Sequence, residues 1–381
     1  MKRWLFSFVF VILMLPFLQQ CFPFITSGPL SGNYTDAKDV EFSWAKWIDG
    51  TYQKGKTDFC NDHTGFRPDL LRLNNQVDFS LFGECHAVWT VLGTHHYLYQ
   101  NPYINAYYGR DFAGYKTVRE RSIMLKAIQD TFARMGKTLV LVYAPNKAAF
   151  YPEYFPRDRM RDKKGVTNLE AYRQMGDSLG INQIDMNAWF ISMKNTSKEL
   201  LFAKQGIHWT VYGATLAGDS LMRYIERLRN IHVPHPIWSK LEHTTEPRSG
   251  DDDVQCGLNL IFPVATETFA YPVIQDVPDS GYKKPNVIYL GDSYAFKMVL
   301  TSTISRMNAN CEYWGYFDDV HGVNEYKATY IHQYDWQAAL DKTDCFVILY
   351  TEFNLCDLGN GFIQNAYGHY YPRKKADSTI K

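Results

Sequence analysis

The sequence predicts an α/β protein with a mostly parallel sheet that helices cover on both faces. Three largely apolar runs are predicted as buried strands, at Thr138–Ala144, Val287–Leu290 and Cys345–Phe353. Segments with helical spacing of apolar residues separate these runs, and strands that alternate with helices are typical of parallel sheets. A chain of 381 residues is also long enough to bury a large core, in one domain or two.

The charge balance argues against a broad nucleic-acid surface. The chain carries 40 basic and 40 acidic residues, whereas such a surface needs a basic surplus. The 27 tyrosines offer flat apolar faces with a polar edge, which suit sugar rings but also serve ordinary packing. We therefore expect no nucleic-acid partner.

The N-terminus has the layout of a secretory signal or a signal anchor. Lys2 and Arg3 precede the apolar run WLFSFVFVILMLPFL, which is short for a membrane span unless it extends through Cys21 to Ile25. Cys21 in LQQC resembles a lipoprotein acceptor, but Gln20 stands where such a signal has a small residue. Basic residues before the run place the N-terminus in the cytoplasm and the rest of the chain outside the inner membrane. We expect an anchor or signal at 1–25, a stalk at 26–60 and a folded domain at 61–381.

The cysteines fit an oxidising compartment, where disulfides form. Six of the seven lie beyond the expected anchor at 1–25, and the pairs Cys60–Cys85 and Cys345–Cys356 are close enough in sequence to be bridged. The chain has neither a CxxC pair nor a Cys/His spacing typical of metal ligands. We therefore predict no metal and no cofactor.

The predicted elements follow one another in order along the chain. Helices are expected at Pro68–Leu81, Tyr115–Met135, Thr167–Leu179, Thr210–Leu228 and Ser293–Ser305. Strands are expected at Val88–Gln100, Thr138–Ala144, Ile181–Met186, Val287–Leu290 and Cys345–Phe353. Local signals support the helix ends, since Thr167 and Glu170 form a capping-box pattern and Gly136 can stop a helix.

The triplet Gly-Asp-Ser occurs three times, and one copy has the setting of a nucleophile. The copies at Gly176–Ser178 and Gly218–Ser220 fall inside predicted helices, where nothing aims or activates the serine. The copy at Gly291–Ser293 follows a predicted strand and opens a helix. A serine there stands on a sharp turn at the carboxyl end of a strand, beside backbone N–H groups that can hold an oxyanion. Asp292 is expected to belong to this turn.

A serine hydroxyl needs a base within hydrogen-bond reach, and His208 is the best candidate among 11 histidines. It lies in FAKQGIHWTVYG, at the start of a predicted helix that Thr210 can cap and beside Trp209. A purely structural capping histidine is the alternative.

Several short motifs together resemble one known family. HWTVYG at 208–213 lies upstream of a strand that ends in GDSY at 291–294. Further matching segments are NDHTGFR (61–67), VLGTHHYLY (91–99), YAPNKAAFYPEYFP (143–156) and TEFNL (351–355). Their order and spacing resemble the SGNH-hydrolase-like domain of the alginate O-acetylation proteins, which are periplasmic enzymes. The resemblance implies a three-layer SGNH-like fold with a permuted motif order.

The resemblance also implies roles for individual residues. Ser293 would take the acetyl group and His208 would be its general base, while the N–H groups of Ser293 and Tyr294 would bind the oxyanion. Residues at the cleft would contact the acyl carbonyl or a uronate carboxylate, or line its walls. These are Asn146 and Lys147 for the polar contacts, and Tyr151 and Arg67 for the walls.

One departure concerns the acid that orients the histidine. The family pattern is D-x-H-W, and Gly206 stands where its Asp would be. Another carboxylate can substitute, with Asp185 the first choice and Asp335 and Glu352 behind it. The alternatives are a Ser–His dyad with a backbone carbonyl as orienting group, or a degenerate protein that binds without catalysis.

The sequence thus favours a periplasmic O-acetyltransferase, anchored to the inner membrane, that acetylates an exopolysaccharide or cell-wall glycan through an acetyl-serine. The resemblance implies a membrane-bound O-acyltransferase as the acetyl donor. A glycan acetylesterase and a non-catalytic scaffold of the acetylation machinery are the rival interpretations.

Overall fold

A computed structural model describes residues 2–32, 35–275, 280–322 and 328–372. These residues form two compact units: one extends to residue 88 and includes 254–264, and the other comprises 89–253 and the chain from 265 onward. The expected boundary at residue 61 therefore differs from the observed division, because 61–88 groups with the N-terminal segments. The last residues of the expected domain, 373–381, lie outside the described residues.

The first unit is helical. Its main helices are α1 (Lys2–Cys21), α2 (Trp44–Ile48), α3 (Thr51–Asp62) and α4 (Arg67–Phe82). The predicted helix over 68–81 is confirmed by α4, which ends at Gly83 in a left-handed conformation (φ 69°) that glycine adopts readily. The expected stalk at 26–60 contains α2 and most of α3. Among the described residues, α1 is the one helix long and apolar enough to cross a membrane, a test that a signal sequence also passes.

The second unit alternates strands and helices. Its strands are β1 (Thr90–Leu92), β2 (Leu98–Gln100), β3 (Thr138–Ala144), β4 (Gln183–Asp185), β5 (Ile237–Thr244), β6 (Phe269–Gln275), β7 (Asn286–Gly291), β8 (Asn310–Gly315), β9 (Asp319–Gly322), β10 (Thr329–Tyr330) and β11 (Cys345–Thr351). Its helices are α5 (Asn101–Tyr107), α6 (Tyr115–Arg134), α7 (Lys147–Phe150), α8 (Asn168–Leu179), α9 (Met186–Met193), α10 (Val211–Arg229), α12 (Ser293–Thr301), α13 (Trp336–Lys342) and α14 (Phe362–Tyr370). A further helix, α11 (Asp253–Leu258), begins in this unit, and its other residues belong to the first.

Seven strands form the central sheet in the order β10-β9-β8-β7-β11-β3-β4. Five neighbouring strands pair in parallel, and these are β8, β7, β11, β3 and β4. Strands β9 and β10 add an antiparallel edge beside β8. The apolar runs predicted as strands supply the centre, and β11 is buried along its whole length. The predicted mostly parallel sheet is therefore confirmed, and parallel strands buried on both faces explain why these runs are continuously apolar.

Helices pack on both faces of this sheet. Leu139, Leu141 and Tyr143 of β3 share one core with residues of α6, α8 and α14. On the other face, Tyr289 of β7 contacts Met222 of α10 through its hydroxyl. Each fully buried large apolar side chain contributes roughly 1.5–3 kcal/mol, so these two layers hold the strand ends in fixed positions.

Some boundaries differ from those predicted. The β-like segment 88–100 is a hairpin of β1 and β2, and the helix expected to reach Ser305 ends at Thr301 because Ser302 adopts an extended conformation. The capping box of Thr167 and Glu170 is present as predicted. Neither predicted disulfide is formed, since Cys60, Cys85, Cys345 and Cys356 all carry free thiols.

Candidate active site

The turn between β7 and α12 places Ser293 at the carboxyl edge of the parallel sheet. Ser293 is the first residue of α12. A Cβ at Gly291 would lie 2.2 Å from the Leu349 carbonyl oxygen of β11, so only glycine allows the two strands to run so close here. The other two Gly-Asp-Ser copies lie within α8 and α10, as predicted.

Asp292 locks this turn to the end of β11. Its carboxylate is fully buried; Oδ1 accepts the Tyr294 N–H (3.0 Å) and caps α12. Oδ2 accepts the N–H and the hydroxyl of Thr351 (2.8 and 2.7 Å) and the Asn354 amide (2.8 Å). Asp292 therefore belongs to the turn, as expected, and makes no contact that would orient a histidine.

His208 lies directly against the serine. Its Nε2 is 2.7 Å from Ser293 Oγ. The histidine precedes α10, whose N-terminus Thr210 caps through the Gly213 N–H (3.1 Å). Tyr294 packs against the imidazole, with ring centroids 4.7 Å apart, and donates its hydroxyl to the Ile207 carbonyl (2.5 Å). The chain segment before α10 is thus fixed on both sides of the imidazole.

Asp253 is the carboxylate that contacts the other nitrogen of His208. Its Oδ2 bonds with Nδ1, and its Oδ1 accepts the Ile207 N–H (2.9 Å). Burial alone would raise the pKa of Asp253, but the charge and the hydrogen bond of His208 outweigh it and hold that pKa below its usual range. An ionised carboxylate here favours the proton on Nδ1, which leaves Nε2 free to accept the serine proton.

The local geometry explains why Gly206 is a glycine. A Cβ built on Gly206 would lie 2.4 Å from the Asp251 carbonyl oxygen and 3.2 Å from Asp253 Oδ1. The Asp253 carboxylate therefore reaches the space beside His208 from a segment 45 residues further along the chain. The carboxylate that contacts His208 is thus distant from it in sequence but adjacent to it in space.

This arrangement corrects the first choice of orienting acid. Asp185 caps α9 by accepting the Ala188 N–H (2.8 Å) and binds Arg173 (2.9 Å), so it does not contact His208. The two weaker candidates are also engaged elsewhere. Asp335 caps α13, and Glu352 is buried against Asn146. No local sequence signal distinguished Asp253 within the run Asp251–Asp253.

Asn146 and Lys147 are buried, and their side chains hold neighbouring segments of the chain by hydrogen bonds. Asn146 is buried and caps α7, and its amide donates to Glu352 (3.3 Å). Lys147 is fully buried, and its Nζ donates to the carbonyl oxygens of Lys204 (2.6 Å) and Gly206 (2.8 Å). Burial lowers the pKa of Lys147 to about 7. The lysine therefore holds the segment that leads to His208, and its buried ammonium group is bonded to these carbonyls and not exposed for the expected contact with substrate.

The other expected residues are scattered. Tyr151 packs in an aromatic cluster with Tyr97, Phe150 and Tyr154. Arg67 belongs to the first unit, where it pairs with Asp62 (3.0 Å), and not to the unit that holds Ser293.

The two expected oxyanion donors are both engaged. The Tyr294 N–H is taken by Asp292, so that expectation is wrong. The Ser293 N–H donates to the hydroxyl oxygen of Tyr316 (3.3 Å), a residue that no sequence motif singled out. The expectation that the protein binds no metal stays a prediction. In the first unit, Asp78, Glu84 and His86 bring possible ligand atoms close together.

Comparison with known proteins gives a consistent result. The family model described as "SGNH hydrolase-like domain, acetyltransferase AlgX" matches residues 93–295, a range that contains His208, Asp253 and Ser293. The chain is 23% identical over 175 residues to the probable alginate O-acetylase AlgJ of Pseudomonas putida; the match covers 46% of this chain and 43% of that relative's length.

Solved structures are similar as well. The O-acetyltransferase domain of Pseudomonas putida AlgJ aligns with a TM-score of 0.48 at 18% identity, covering 74% of this chain and 99% of that one. Pseudomonas aeruginosa AlgX aligns with a TM-score of 0.47 at 15% identity, covering 75% and 69%. The family match covers more than half of the chain, which therefore belongs to the SGNH hydrolase-like family of AlgX acetyltransferases.

Proposed function

We propose that this protein transfers acetyl groups to hydroxyls of a polysaccharide through an acetyl-Ser293 intermediate. The observation that carries the proposal is the continuous chain of contacts from Ser293 Oγ through His208 to Asp253. A serine, a histidine and a carboxylate in this order have the geometry that activates a nucleophile.

The first half-reaction loads the serine. As Ser293 Oγ attacks the acetyl carbonyl, His208 Nε2 takes the hydroxyl proton and the carbonyl electron pair moves onto its oxygen. When that pair returns, the bond to the donor breaks and the leaving atom takes the proton from His208. Asp253 stabilises the imidazolium that exists between these events, since its pKa below the usual range keeps it ionised.

The second half-reaction releases the acetyl group to the acceptor. A sugar hydroxyl attacks the acetyl-Ser293 carbonyl while His208 takes its proton. Ser293 Oγ then leaves and recovers that proton, so the enzyme returns to its starting state. Water in place of the sugar would make the protein an acetylesterase with the same residues, and the acceptor alone separates these two activities.

The location and the donor are part of the same proposal. The apolar helix α1 is compatible with an anchor in the inner membrane that leaves the second unit in the periplasm. Acetyl-CoA is not free there, so a membrane-bound O-acyltransferase that passes the acetyl group outward is the donor we propose. The complete set of Ser293, His208 and Asp253 favours catalysis over a scaffold role.

The test uses the full-length protein in detergent with p-nitrophenyl acetate as donor. We expect the peptide containing Ser293 to gain the mass of one acetyl group, and Ser293→Ala and His208→Ala to abolish that gain. Ser178→Ala and Ser220→Ala, which alter the helical Gly-Asp-Ser copies, are matched controls and should acetylate like the wild type.

Adding acetyl-free oligosaccharides then separates the two activities. Transfer to sugar that exceeds release of acetate supports the transferase, and the reverse ratio supports the esterase. Acetylation that persists in Ser293→Ala, or a wild type that is never acetylated, would refute the proposal.

A further inference from the structure

The Ser293 N–H group cannot serve an oxyanion in the state described, because it is already bonded. Its acceptor is the hydroxyl oxygen of Tyr316, at 3.3 Å. The next N–H along the chain, that of Tyr294, is buried and held by Asp292. This turn therefore offers one backbone donor to an acyl carbonyl oxygen bound at Ser293, which is the Ser293 N–H. In the state described, that N–H is bonded to the Tyr316 hydroxyl.

The backbone around Tyr316 is held in an unusual conformation. Tyr316 and Phe317 both lie in the left-handed region, with φ of 50° and 54°, where residues other than glycine are strained. The Tyr316 N–H donates to the Gly291 carbonyl (3.0 Å), which ties it to the residue two positions before the nucleophile. Strain of this kind persists only where the surroundings enforce it, and it concentrates at functional sites.

The neighbouring strand braces the same turn. β7 and β8 pair in parallel with Gly291 opposite Gly315, directly before Tyr316. The Tyr313 hydroxyl donates to the carbonyl oxygens of Gly291 (3.3 Å) and Asp292 (3.1 Å). The position of Tyr316 relative to Ser293 is thus fixed by backbone contacts on both strands, which leaves its hydroxyl proton as the movable part.

We propose that the Tyr316 hydroxyl is the second hydrogen-bond donor for the oxyanion, paired with the Ser293 N–H. In the resting site the hydroxyl oxygen accepts from Ser293. When the acyl carbonyl oxygen enters, it takes over the Ser293 N–H, and the displaced hydroxyl turns to donate its own proton to the same oxygen. No proton is transferred from Tyr316 in this step, since the serine proton goes to His208 and the carbonyl electron pair stays on the oxyanion.

The chemistry of the hydroxyl suits this role. Burial raises the pKa of Tyr316, and the nearby Asp292 carboxylate raises it further, so the phenol keeps its proton under physiological conditions. A neutral O–H donor held beside the point where negative charge develops stabilises the transition state more than the ground state. This inference rests on the proposed function of Ser293.

The first test is Tyr316→Phe in the full-length protein, which removes one oxygen atom. We expect the rate constant for acetylation of Ser293 by p-nitrophenyl acetate to fall about 100-fold, with little change in the half-saturating ester concentration, because the hydrogen bond to the negative oxygen of the transition state is much stronger than that to the neutral carbonyl of the bound ester. Tyr330→Phe, which alters the exposed tyrosine of β10, should match the wild type.

A second readout separates a donor from a residue that merely supports the turn. A trifluoromethyl ketone adds to Ser293 and gives a stable tetrahedral adduct with a negative oxygen. Its affinity should fall by a factor similar to that of the acetylation rate in Tyr316→Phe.

The outcomes distinguish this inference from the function on which it rests. If Tyr316→Phe acetylates as fast as the wild type or faster, the hydroxyl only covers the Ser293 N–H and the inference is wrong. If the ketone binds both proteins equally, the inference is also wrong. If the wild type reacts with neither reagent, the proposed function fails, and the role of Tyr316 fails with it.

Discussion

At the scale of single residues, the site shows how a carboxylate distant in sequence comes to contact His208. A side chain at position 206 would collide with the Asp251 backbone, and the Asp253 carboxylate occupies the neighbouring space against His208. A triad depends on proximity and not on chain order. A departure from a sequence motif at one member therefore does not by itself indicate loss of activity.

Asp253→Asn should greatly lower the rate of Ser293 acetylation without unfolding the protein. The amide is isosteric but cannot stabilise the imidazolium or enforce the tautomer with its proton on Nδ1, which costs about 10⁴-fold in serine triads. The measurement is the rate of acetyl-Ser293 formation, with thermal unfolding as a check on folding. Asp185→Asn is the matched control and should retain the wild-type rate. Equal rates in Asp253→Asn and the wild type would mean that His208 needs no carboxylate.

Gly206→Ala should lower stability and slow acetylation. The added Cβ would lie 2.4 Å from the Asp251 carbonyl oxygen, so the backbone before His208 must shift, at a cost of about 1–3 kcal/mol. The readouts are the free energy of unfolding in urea and the acetylation rate. Gly368→Ala, where nothing lies within 4 Å of the new atom in α14, should instead gain about 0.5–1 kcal/mol. Restoring an Asp at 206 cannot help, since it introduces the same Cβ.

At the scale of elements, the strand–turn–helix unit that carries Ser293 is held by one buried carboxylate. Asp292 receives four hydrogen bonds, from the start of α12, the end of β11 and Asn354. It therefore couples Ser293 to β11, a buried strand of the parallel part of the sheet. The position of Ser293 depends on that coupling as much as on its own contact with His208.

Asp292→Ala should lower the free energy of unfolding by at least about 3 kcal/mol, because it leaves several buried donors without acceptors. We expect acetylation to be lost with it, since α12 loses both its cap and its tie to Thr351. Asp335→Ala removes a helix cap of the same chemistry at the exposed start of α13 and should cost about 1 kcal/mol with no effect on acetylation. Comparable losses in the two variants would show that Asp292 acts only as an ordinary cap.

The elements also show what the sequence could predict. β3, β7 and β11 were predictable because a strand buried on both faces is continuously apolar, and α8 because its cap is local. Strands β8 to β10 were missed. Strand β8 is not continuously apolar, since it contains Asn310 and Glu312, and β9 and β10 are short and lie at the edge, where one side meets solvent and the apolar pattern breaks.

The residues of the site likewise differ in whether a local sequence signal predicts them. Ser293 and His208 carry local signals, a turn after a strand and a capped helix start. Asp253 and Tyr316 reach the site through contacts distant in sequence, and their immediate neighbours in the chain give no sign of it. Lys147 was expected to make polar contacts at the cleft, but it is buried against a distant segment, where its Nζ donates to the carbonyl oxygens of Lys204 and Gly206.

At the scale of the whole molecule, buried ionisable groups make stability depend on pH. Glu352 is buried beside Asn146 at the carboxyl end of β11. Burial raises its pKa to about 7, and the Asp111 carboxylate adds to the rise, although Thr167, Lys164 and Asn146 oppose it. Burial likewise raises the pKa of Asp111 to about 6. The folded protein therefore holds protons on these carboxyls that the unfolded chain has already released.

The sign of the effect follows from this difference. A carboxyl with a raised pKa in the folded state contributes fully to stability below its unfolded pKa, near 4.5 for Glu352, and loses that contribution as pH rises through about 7. We therefore expect the contribution of Glu352 to the free energy of unfolding to decrease as the pH rises between these two values. Glu352→Gln cannot ionise, so its curve should lack most of that component, and Asp111 should account for a smaller remainder.

The measurement is urea unfolding of the wild type and Glu352→Gln from pH 4.5 to 8. The two should differ least at the acid end, and at pH 8 the variant should be the more stable, by at most about 3 kcal/mol. Glu246→Gln, on an exposed segment, should run parallel to the wild type because its side chain is solvated in both states. Parallel curves for Glu352→Gln and the wild type would mean that Glu352 is ionised in the folded protein throughout, with Lys164 and Thr167 compensating for its burial.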